Sequence, residues 1–233
     1  MGGIVVFGAG GRAGRAVTAE ARRREYAVTA VVRDPARHPK LGAEGVTVVR
    51  GDVTDPGSVA SAGRGQLAAV HAVSPFSGPE QGFDTLDPDF FVKAADALLD
   101  GLASARVRRL VAVGLFANLL GADGRPVLED PALFPPEIRP FALAHTAGLN
   151  RLREAGAGGA GSADYESGVD WVMLTPGGGL EEDAPRTGRY AIGGERVPNG
   201  ARVLSYADLA VAVVDEIERP TAHRTRVSVF DGE

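Results

Sequence analysis

The feature that most constrains this chain is a turn with four glycines directly after a short apolar run. Residues 4–7 are typical of a buried strand, residues 12–24 have the small apolar stripe of a packed helix, and GAGGRAG joins them. In a strand–turn–helix unit, glycines spaced like Gly8, Gly11 and Gly14 permit a tight turn, close approach of N–H groups to a pyrophosphate, and close helix packing. The pattern favours dinucleotide binding; a turn that only reverses the chain is the alternative.

Short apolar runs alternate with helical patterns along most of the chain. The predicted strands are residues 4–7, 27–32, 46–49, 68–73, 109–113, 171–174 and 227–230, and the predicted helices before the last one are residues 12–24, 56–62, 89–105 and 138–154. This alternation predicts an α/β fold of the Rossmann type, with a doubly wound parallel sheet. We expect one domain over residues 1–233, in which residues 115–140 and 176–204 form a small substrate lobe towards the C-terminal side. Residues 156–168, rich in Gly, Ala and Ser, are expected to be a mobile loop.

The last helix has a clear start and a clear end. Ser205 followed by Asp208 resembles a capping box, and Pro220 ends the apolar face that follows. The helix also carries three carboxylates that we expect on a solvated face rather than at a metal: Asp215, Glu216 and Glu218.

Composition excludes several functional classes. The formal net charge of −5 argues against an extended surface for nucleic acid or acidic membranes. With no cysteine, the chain has no disulfide, thiol nucleophile or thiolate metal site, and no apolar stretch approaches a membrane-spanning length. We expect a soluble cytoplasmic monomer or homodimer that acts on a small molecule, without a nucleic acid, membrane or metal partner.

The end of the second predicted strand bears on the choice of cofactor. Enzymes that select NAD commonly place an acidic residue there for the ribose hydroxyls. This chain has VVRDPAR, with Arg33 at that place and Arg37 a turn further on. Two guanidinium groups suit a 2′-phosphate, so NADP(H) is preferred over NAD(H). The alternative is a solvated arginine pair, which the neighbouring Asp34 keeps open.

A second polar segment, GDVTD, follows the third predicted strand. Asp52 and the adjacent backbone amide are placed to hydrogen-bond the edge of an adenine. Alternatively, Asp52 and Thr54 cap the helix that begins near Pro56, and both roles are compatible.

With these residues in view, the sequence resembles the atypical short-chain dehydrogenase/reductases with an NAD(P)H-binding domain. It is similar to the group of NADH-flavin reductases and biliverdin-IXβ reductases, with NmrA-like redox sensors as more distant relatives. The resemblance runs through GAGGRAG, VVRDPAR, GDVTD, RRLVAVG, GVDWVMLTPGG, RTGRY and SYADLAVAVVDEIERP. It covers nearly the whole chain, and its later motifs are more specific than the glycines.

The resemblance implies which residues contact each part of the cofactor. The pyrophosphate would be contacted by Gly8, Gly11, Arg12, Ala13 and Gly14. The 2′-phosphate would lie at Arg33 and Arg37, and the adenine at Asp52 and Val53. The ribose and nicotinamide side would be formed by Ala72, Val73 and Ser74, and the nicotinamide would be framed by Gly114, Leu115, Pro176 and Gly177.

The usual proton donors of such enzymes are missing. No Tyr-x-x-x-Lys pair is present, Gly114 replaces the Ser or Thr that relatives often carry after the fifth strand, and Gly177 replaces a His after the sixth. Only His145, on the fourth helix, remains as a candidate acid near neutral pH; the alternative is a histidine with a purely structural role.

Hydride delivery to an electron-poor ring needs proximity more than a positioned acid, whereas ketone reduction needs a donor for the alkoxide. The residues therefore favour NAD(P)H-dependent reduction of a flavin, or of a tetrapyrrole-like or similar flat conjugated acceptor, by direct hydride transfer. The alternatives are a non-catalytic NAD(P)-binding redox sensor, and a specialised biosynthetic reductase or isomerase.

Overall fold

Ten strands and five helices are formed in the computed structural model of the chain, which describes residues 2–75, 86–157, 168–200 and 203–232. The strands are β1 (Gly3–Phe7), β2 (Val28–Val32), β3 (Val46–Arg50), β4 (Gln66–His71), β5 (Arg109–Val113), β6 (Asp170–Pro176), β7 (Leu180–Glu181), β8 (Ala191–Ile192), β9 (Leu204–Ser205) and β10 (Thr225–Phe230). Eight of them form a sheet in the order β3-β2-β1-β4-β5-β6-β10-β8, parallel except for β8. The predicted Rossmann-type α/β fold is confirmed.

Helices cover both faces of this sheet. They are α1 (Arg12–Arg23), α2 (Pro56–Gly63), α3 (Phe90–Ala105), α4 (Arg139–Ala157) and α5 (Tyr206–Glu218). Helices α1 and α5 pack together on one face, and α2, α3 and α4 pack in series on the other. Successive side chains of each strand point to opposite faces of the sheet and so pack into both cores. In β1, Val6 faces α1 and α5, whereas Val5 and Phe7 face the α2–α4 side.

The sheet order reverses between β1 and β4, which is where ligands bind in doubly wound sheets. The fourth strand was predicted at residues 68–73 but begins and ends two residues earlier. Gly65, at φ +74°, turns the chain into the strand, and the Ala72 N–H bonds the Phe7 carbonyl (2.9 Å) just past its end. Ala72 and Val73 therefore lie beyond the strand, at the edge of the crevice.

Two segments that are distant in sequence meet above the carboxyl end of the sheet. The Leu120 N–H donates to the Glu195 carbonyl and the Val197 N–H to the Leu120 carbonyl, both at 2.9 Å. An apolar cluster with Val127, Phe134 and Ala142 at its centre supports the first segment. The two stretches predicted to form a lobe are thus in contact. Most of the predicted mobile loop, residues 158–167, lies outside the described residues.

The start of α5 is as predicted, whereas the surroundings of its carboxylates are not. Ser205 Oγ accepts the Asp208 N–H at 2.9 Å, so the predicted cap is confirmed. The Asp208 carboxylate also accepts the Thr187 and Gly188 N–H groups, at 2.9 and 2.7 Å, and thereby holds the 187–188 loop against the helix. The reach of a cap residue into a distant loop is not visible in the local sequence.

The expectation that all three carboxylates of α5 lie on a solvated face is wrong for Glu216, whereas Glu218 is exposed. Glu216 is 4% exposed and pairs with the buried Arg109 at 2.6 Å, because this side of the helix covers the start of β5. Asp215 and Glu218 both accept from Arg24 of the α1 C-cap, at 2.6 and 2.8 Å. The three carboxylates therefore join α5 to its neighbours.

Candidate dinucleotide and substrate site

The glycine turn packs against the end of β4 at backbone distance. Gly8 has φ +85°, and a Cβ at this position would lie 2.6 Å from the Ala72 carbonyl oxygen. A Cβ on Gly14 would lie 2.1 Å from the Gly8 carbonyl oxygen. Two of the three motif glycines are therefore required by the protein's own packing, and they bring α1 close to the crevice.

Gly11 differs from the other two motif glycines. It is the N-cap of α1 with φ −78°, and a Cβ there would meet only the Gly8 and Ala72 carbonyl oxygens, at 3.4 and 4.0 Å. Among the described residues no packing contact requires glycine here, so the space beside Gly11 is available to a ligand. The first N–H groups of α1, including those of Arg12 and Ala13, point out of the helix start, where anions bind. The Arg12 guanidinium lies 5.5 Å from the ring centre of Tyr206.

The adenosine side carries exposed cations. Arg33 and Arg37 are exposed, and within the described parts of the chain neither is held in an ion pair. Asp34 is engaged locally: its carboxylate accepts the Ala36 N–H at 3.1 Å and caps a short 3-10 turn. The sequence reasoning missed His38, whose ring lies against Gly10, with its Cε1 2.4 Å from where a Gly10 Cβ would be.

The segment after β3 resolves the question of the cap. The N-cap of α2 is Asp55, which accepts the Gly57 and Ser58 N–H groups at 3.0 and 3.2 Å. Asp52 instead accepts from the backbone and hydroxyl of Thr54, at 2.9 and 2.8 Å. The alternative that Asp52 and Thr54 cap α2 is wrong, because Asp55 stands next to the Pro56 that begins the helix. Asp52 is exposed beside the buried Val53.

The remaining predicted residues line the ends of β4, β5 and β6. Ala72 and Val73 are half-buried beside Gly8, and Ser74 is exposed. At the ends of the next two strands, Leu115 is half-buried, Pro176 is buried in β6, and Gly177 lies beneath Pro198 of the second lobe segment. The fold brings the glycine turn and these strand ends to one edge of the sheet.

His145 lies inside the protein. It is 7% exposed and packs against Phe91 (4.6 Å between ring centres). Burial lowers its pKa to about 4, although a hydrogen bond to the Val113 backbone opposes the shift. The nearby His71 is also buried, and its pKa is lowered to about 3. The expectation that His145 titrates near neutral pH is wrong, because α4 presses the ring onto β5; its catalytic role stays a prediction.

Buried polar atoms without partners gather on the α4 side of β6 and β10. Besides His145 Nδ1 and Trp171 Nε1, four such atoms have no hydrogen-bond partner in the described structure: Asn118 Oδ1, Thr175 Oγ1, Arg226 Nε and Ser228 Oγ. Sequence reasoning missed them because each looks unremarkable in its own segment. The available signal was a lone polar residue in an apolar strand, the Thr of VMLTP.

The reversed sheet order and the glycine turn at the switch point define a Rossmann-type dinucleotide-binding protein. Comparison with known proteins narrows this class. The family model described as NAD(P)H-binding matches residues 8–220. The chain therefore belongs to the NAD(P)H-binding family, a family of the oxidoreductase type, as its motifs predicted.

Similar proteins match along the full length. A Bacillus subtilis protein called YwnB, itself uncharacterised, is 29% identical over 97% of both chains. The crystal structure of a proposed epimerase from Bacteroides thetaiotaomicron is 29% identical with a TM-score of 0.80, covering 100% of this chain and 98% of that one. A proposed NADH-flavin reductase from Streptococcus pneumoniae is 25% identical with a TM-score of 0.77, covering 99% and 100%. Within the described residues no helix has the length and apolarity to cross a membrane.

Proposed function

We propose that the protein is a reductase that transfers a hydride from NADPH to a flavin or a similar flat, conjugated acceptor, without a Tyr-Lys pair. The observation that carries this proposal is the packing of the glycine turn onto the end of β4. Gly8 and Gly14 allow backbone contact where a side chain would collide, whereas the position of Gly11 is left open. Such a turn at the switch point fits a pyrophosphate at the start of α1.

The other parts of the cofactor are proposed to lie along the same groove. Gly11, Arg12 and Ala13 would hold the pyrophosphate, and Asp52 and Val53 would lie along the adenine. Residues 72–74 and the ends of β5 and β6, from Gly114 to Leu115 and from Pro176 to Gly177, would frame the nicotinamide.

The preference for NADPH rests on the arginine pair. Arg33 and Arg37 are exposed and have no ion-pair partner in the described structure. Asp34, which was the argument for a merely solvated pair, turns its carboxylate to the Ala36 N–H instead. Both guanidinium groups are therefore available for the 2′-phosphate, whose planar bidentate recognition suits arginine.

The acceptor would bind under the lobe formed by residues 115–140 and 176–204 of this one-domain chain. This lobe presents apolar surface, with Leu115 and Phe116 packed at the edge of its cluster. A flat conjugated ring, flavin or tetrapyrrole-like, matches that chemistry. The similarity to a proposed NADH-flavin reductase, 25% identical along the full length, supports the same class of acceptor.

The chemistry divides between cofactor and protein. NADPH supplies the hydride when bound, and the groove brings the acceptor to it and excludes water. At neutral pH His145 is uncharged, since burial holds its pKa at about 4. It would act by orienting the end of β5 through its hydrogen bond to the Val113 backbone, while the proton for the reduced acceptor comes from solvent.

A titration followed by a turnover assay tests the proposal. NADPH and NADH are titrated separately by the change in nicotinamide fluorescence, and oxidation of the bound form is followed with FMN, riboflavin and biliverdin. We expect tighter binding of NADPH and oxidation that depends on the acceptor. Absence of NADPH binding would refute the cofactor site.

A second function, that of a non-catalytic redox sensor, is favoured by one observation. The only histidine near the strand ends that was a candidate acid is buried and uncharged. A sensor would bind NADP(H) without turnover of any acceptor, and its affinity would differ between the oxidised and reduced forms. The same titration, run with NADP+, distinguishes it from the reductase.

A further inference from the structure

Gly114, the first residue after β5, carries no side chain, and the hydroxyl of Thr175 on the neighbouring strand β6 lies beside it. A Cβ built on Gly114 would lie 2.0 Å from Thr175 Oγ1 and 2.9 Å from Thr175 Cβ. The Thr175 hydroxyl thus lies within a bond length or two of where a serine or threonine at position 114 would begin. The Thr175 hydroxyl therefore fits in this position only because residue 114 is glycine.

The Thr175 hydroxyl has no partner. The residue is fully buried, and its Oγ1 makes no hydrogen bond to any described residue. A buried hydroxyl without a partner costs roughly 1–3 kcal/mol, and valine would fill the same space without that cost. The other unpartnered hydroxyl on this face, Ser228 Oγ, lies on β10, one strand further from the glycine turn. Thr175 Oγ1 lies beside Gly114 at the proposed nicotinamide end of the groove, so a ligand that accepts from it explains this hydroxyl best.

Thr175 lies on the α4 face of the sheet, which is the side on which the acceptor is proposed to bind. Thr175 follows Met173 by two residues and shares its face, which packs towards α4. On the same face, Ser228 is the registered neighbour of Thr175 on β10, and Asn118 donates to Thr146 of α4 at 2.8 Å. The hydroxyl thus points to the α4 side of the strand ends, beneath the lobe.

We infer that Thr175 is a catalytic residue whose O–H donates to an oxygen of the substrate, which is therefore a conjugated carbonyl compound such as a quinone or an enone. This inference rests on the proposed reductase function and deepens it. A fixed donor at the developing negative charge is the group that carbonyl reduction requires.

The reaction balances without a further reactant. A carbon of the conjugated system takes the hydride that NADPH supplies, a C–H bond forms there, and the π electrons shift to the carbonyl oxygen. The Thr175 O–H stabilises that oxygen as it becomes an alkoxide or enolate, and a proton from water then completes the O–H or C–H bond of the product. NADP+ leaves, and Thr175 is unchanged.

The test compares Thr175→Val and Thr175→Ser with a matched control, Ser228→Ala, which removes a second buried and unpartnered hydroxyl at the same register. Each variant is assayed for NADPH oxidation with 2-methyl-1,4-naphthoquinone and with FMN, which takes the hydride on a ring nitrogen. NADPH binding and thermal unfolding without cofactor are measured in parallel.

We expect Thr175→Val to lose roughly 100- to 1,000-fold in kcat with the quinone, the range of one lost oxyanion donor, and much less with FMN. Thr175→Ser should recover most of the loss, and Ser228→Ala should keep wild-type turnover. NADPH affinity should be unchanged in all three. Thr175→Val should also unfold at the same or a higher temperature than the wild type, because it removes a hydroxyl that bonds nothing in the free protein.

Three outcomes would overturn the inference. Full quinone turnover in Thr175→Val would refute the role of the hydroxyl alone and leave the reductase in place. A fall in the unfolding temperature that accompanies the loss, or an equal loss in Ser228→Ala, would make the effect one of packing. A wild-type protein that binds NADPH but reduces neither acceptor would overturn the reductase and this inference together.

Discussion

Among single residues, the glycines of the turn have different roles: Gly14 is needed for packing, whereas Gly11 is expected to leave space for the ligand. Gly14→Ala would place a methyl carbon 2.1 Å from the Gly8 carbonyl oxygen, so α1 must move away from β1. We expect a loss of about 1–3 kcal/mol in the free energy of unfolding. At Gly11 the same change meets only the Gly8 and Ala72 carbonyls at ordinary contact distances. Gly11→Ala should cost no more than about 1 kcal/mol, the penalty of a poorer N-cap.

For NADPH binding we expect the larger direct effect from Gly11→Ala, the variant that changes stability less. A methyl group at Gly11 takes the space through which a pyrophosphate approaches the start of α1, so Gly11→Ala should weaken NADPH binding at least 10-fold while the protein stays folded. Urea unfolding and fluorescence titration of both variants measure the contrast. Wild-type NADPH affinity in Gly11→Ala would show that the turn holds no phosphate.

His71 and His145 predict how stability depends on pH. Burial lowers their folded-state pKa values to about 3 and about 4, from 6.5 in an exposed histidine. Between pH 6.5 and 4 the unfolded chain therefore binds more protons than the folded one, and stability falls as pH falls. Each histidine contributes a slope of about 1.4 kcal/mol per pH unit in that window. Above pH 6.5 the cost of keeping both rings uncharged in the folded protein is absent.

Urea unfolding at pH 7.5, 6 and 5 measures this slope. We expect His145→Gln to be less stable than the wild type at pH 7.5, because of lost packing on Phe91, but to lose stability less steeply on acidification. The matched control is His223→Gln, since His223 is largely exposed. An acid slope that is equally steep in His145→Gln and in the wild type would contradict burial of this ring.

At the scale of elements, one buried ion pair joins α5 to β5. Arg109 donates to the Glu216 carboxylate at 2.6 Å and to the Ala222 carbonyl at 3.1 Å, and Glu216 also accepts the Thr221 N–H. Removing the Glu216 charge leaves the buried Arg109 with only the partly buried Asp170 carboxylate, at 2.7 Å, as an ionic partner, which costs up to about 3–5 kcal/mol. Glu216→Gln should therefore destabilise the protein by several kcal/mol. Asp96→Asn, in the half-exposed pair with Arg151, should cost less than about 1 kcal/mol.

Thermal and urea unfolding of both variants compare the two pairs. A Glu216→Gln variant as stable as Asp96→Asn would show that α5 is held to the sheet by its apolar face alone. In either case NADPH binding should persist, because Glu216 lies at the start of β5, at the opposite end of the sheet from the crevice.

These elements also show what sequence can predict. The α5 cap is local, since Ser205 and Asp208 are three residues apart, and the helix start follows from them alone. The burial of Glu216 depends on Arg109, more than a hundred residues away, so the sequence of α5 indicated only a solvated face. Strand existence was equally predictable, whereas the ends of β4 moved by two residues because Gly65 and the Phe7 carbonyl set them.

For the whole molecule, the same difference between local and long-range contacts explains which parts of the candidate site could be predicted. The fold and the glycine turn were predicted because a strand, a turn and a helix lie in one continuous segment. The unpartnered polar atoms on the α4 side were not, because Asn118 and Thr175 come from separate segments that only the folded chain brings to one face. His38 was missed for the same reason: only the folded chain brings its ring to Gly10.

The proposed preference for NADPH rests on a local charge that opposes the charge of the whole protein. The chain carries a net charge of −5, yet Arg33 and Arg37, which have no ion-pair partner among the described residues, place two cations where a 2′-phosphate would lie. A charged hydrogen bond contributes about 1.5–3 kcal/mol. Arg33→Ala should therefore weaken NADPH binding about 10- to 100-fold and leave NADH binding nearly unchanged, and Arg37→Ala should act in the same direction. Arg125→Ala, in an exposed pair of the lobe, is the control.

Binding also provides a second measurement through the stability of the fold. A ligand at 100 times its Kd stabilises the folded state by about 2.7 kcal/mol, which for a chain of this size raises the Tm by roughly 5–10 °C. At one fixed concentration, NADPH should raise the Tm of the wild type more than NADH does, and Arg33→Ala should remove that difference. Added salt should reduce the NADPH shift more in the wild type than in the variant, because it screens the arginine–phosphate attraction. If Arg33→Ala and Arg37→Ala both keep the wild-type difference, the preference does not come from this pair, and His38 beside Gly10 becomes the next residue to replace.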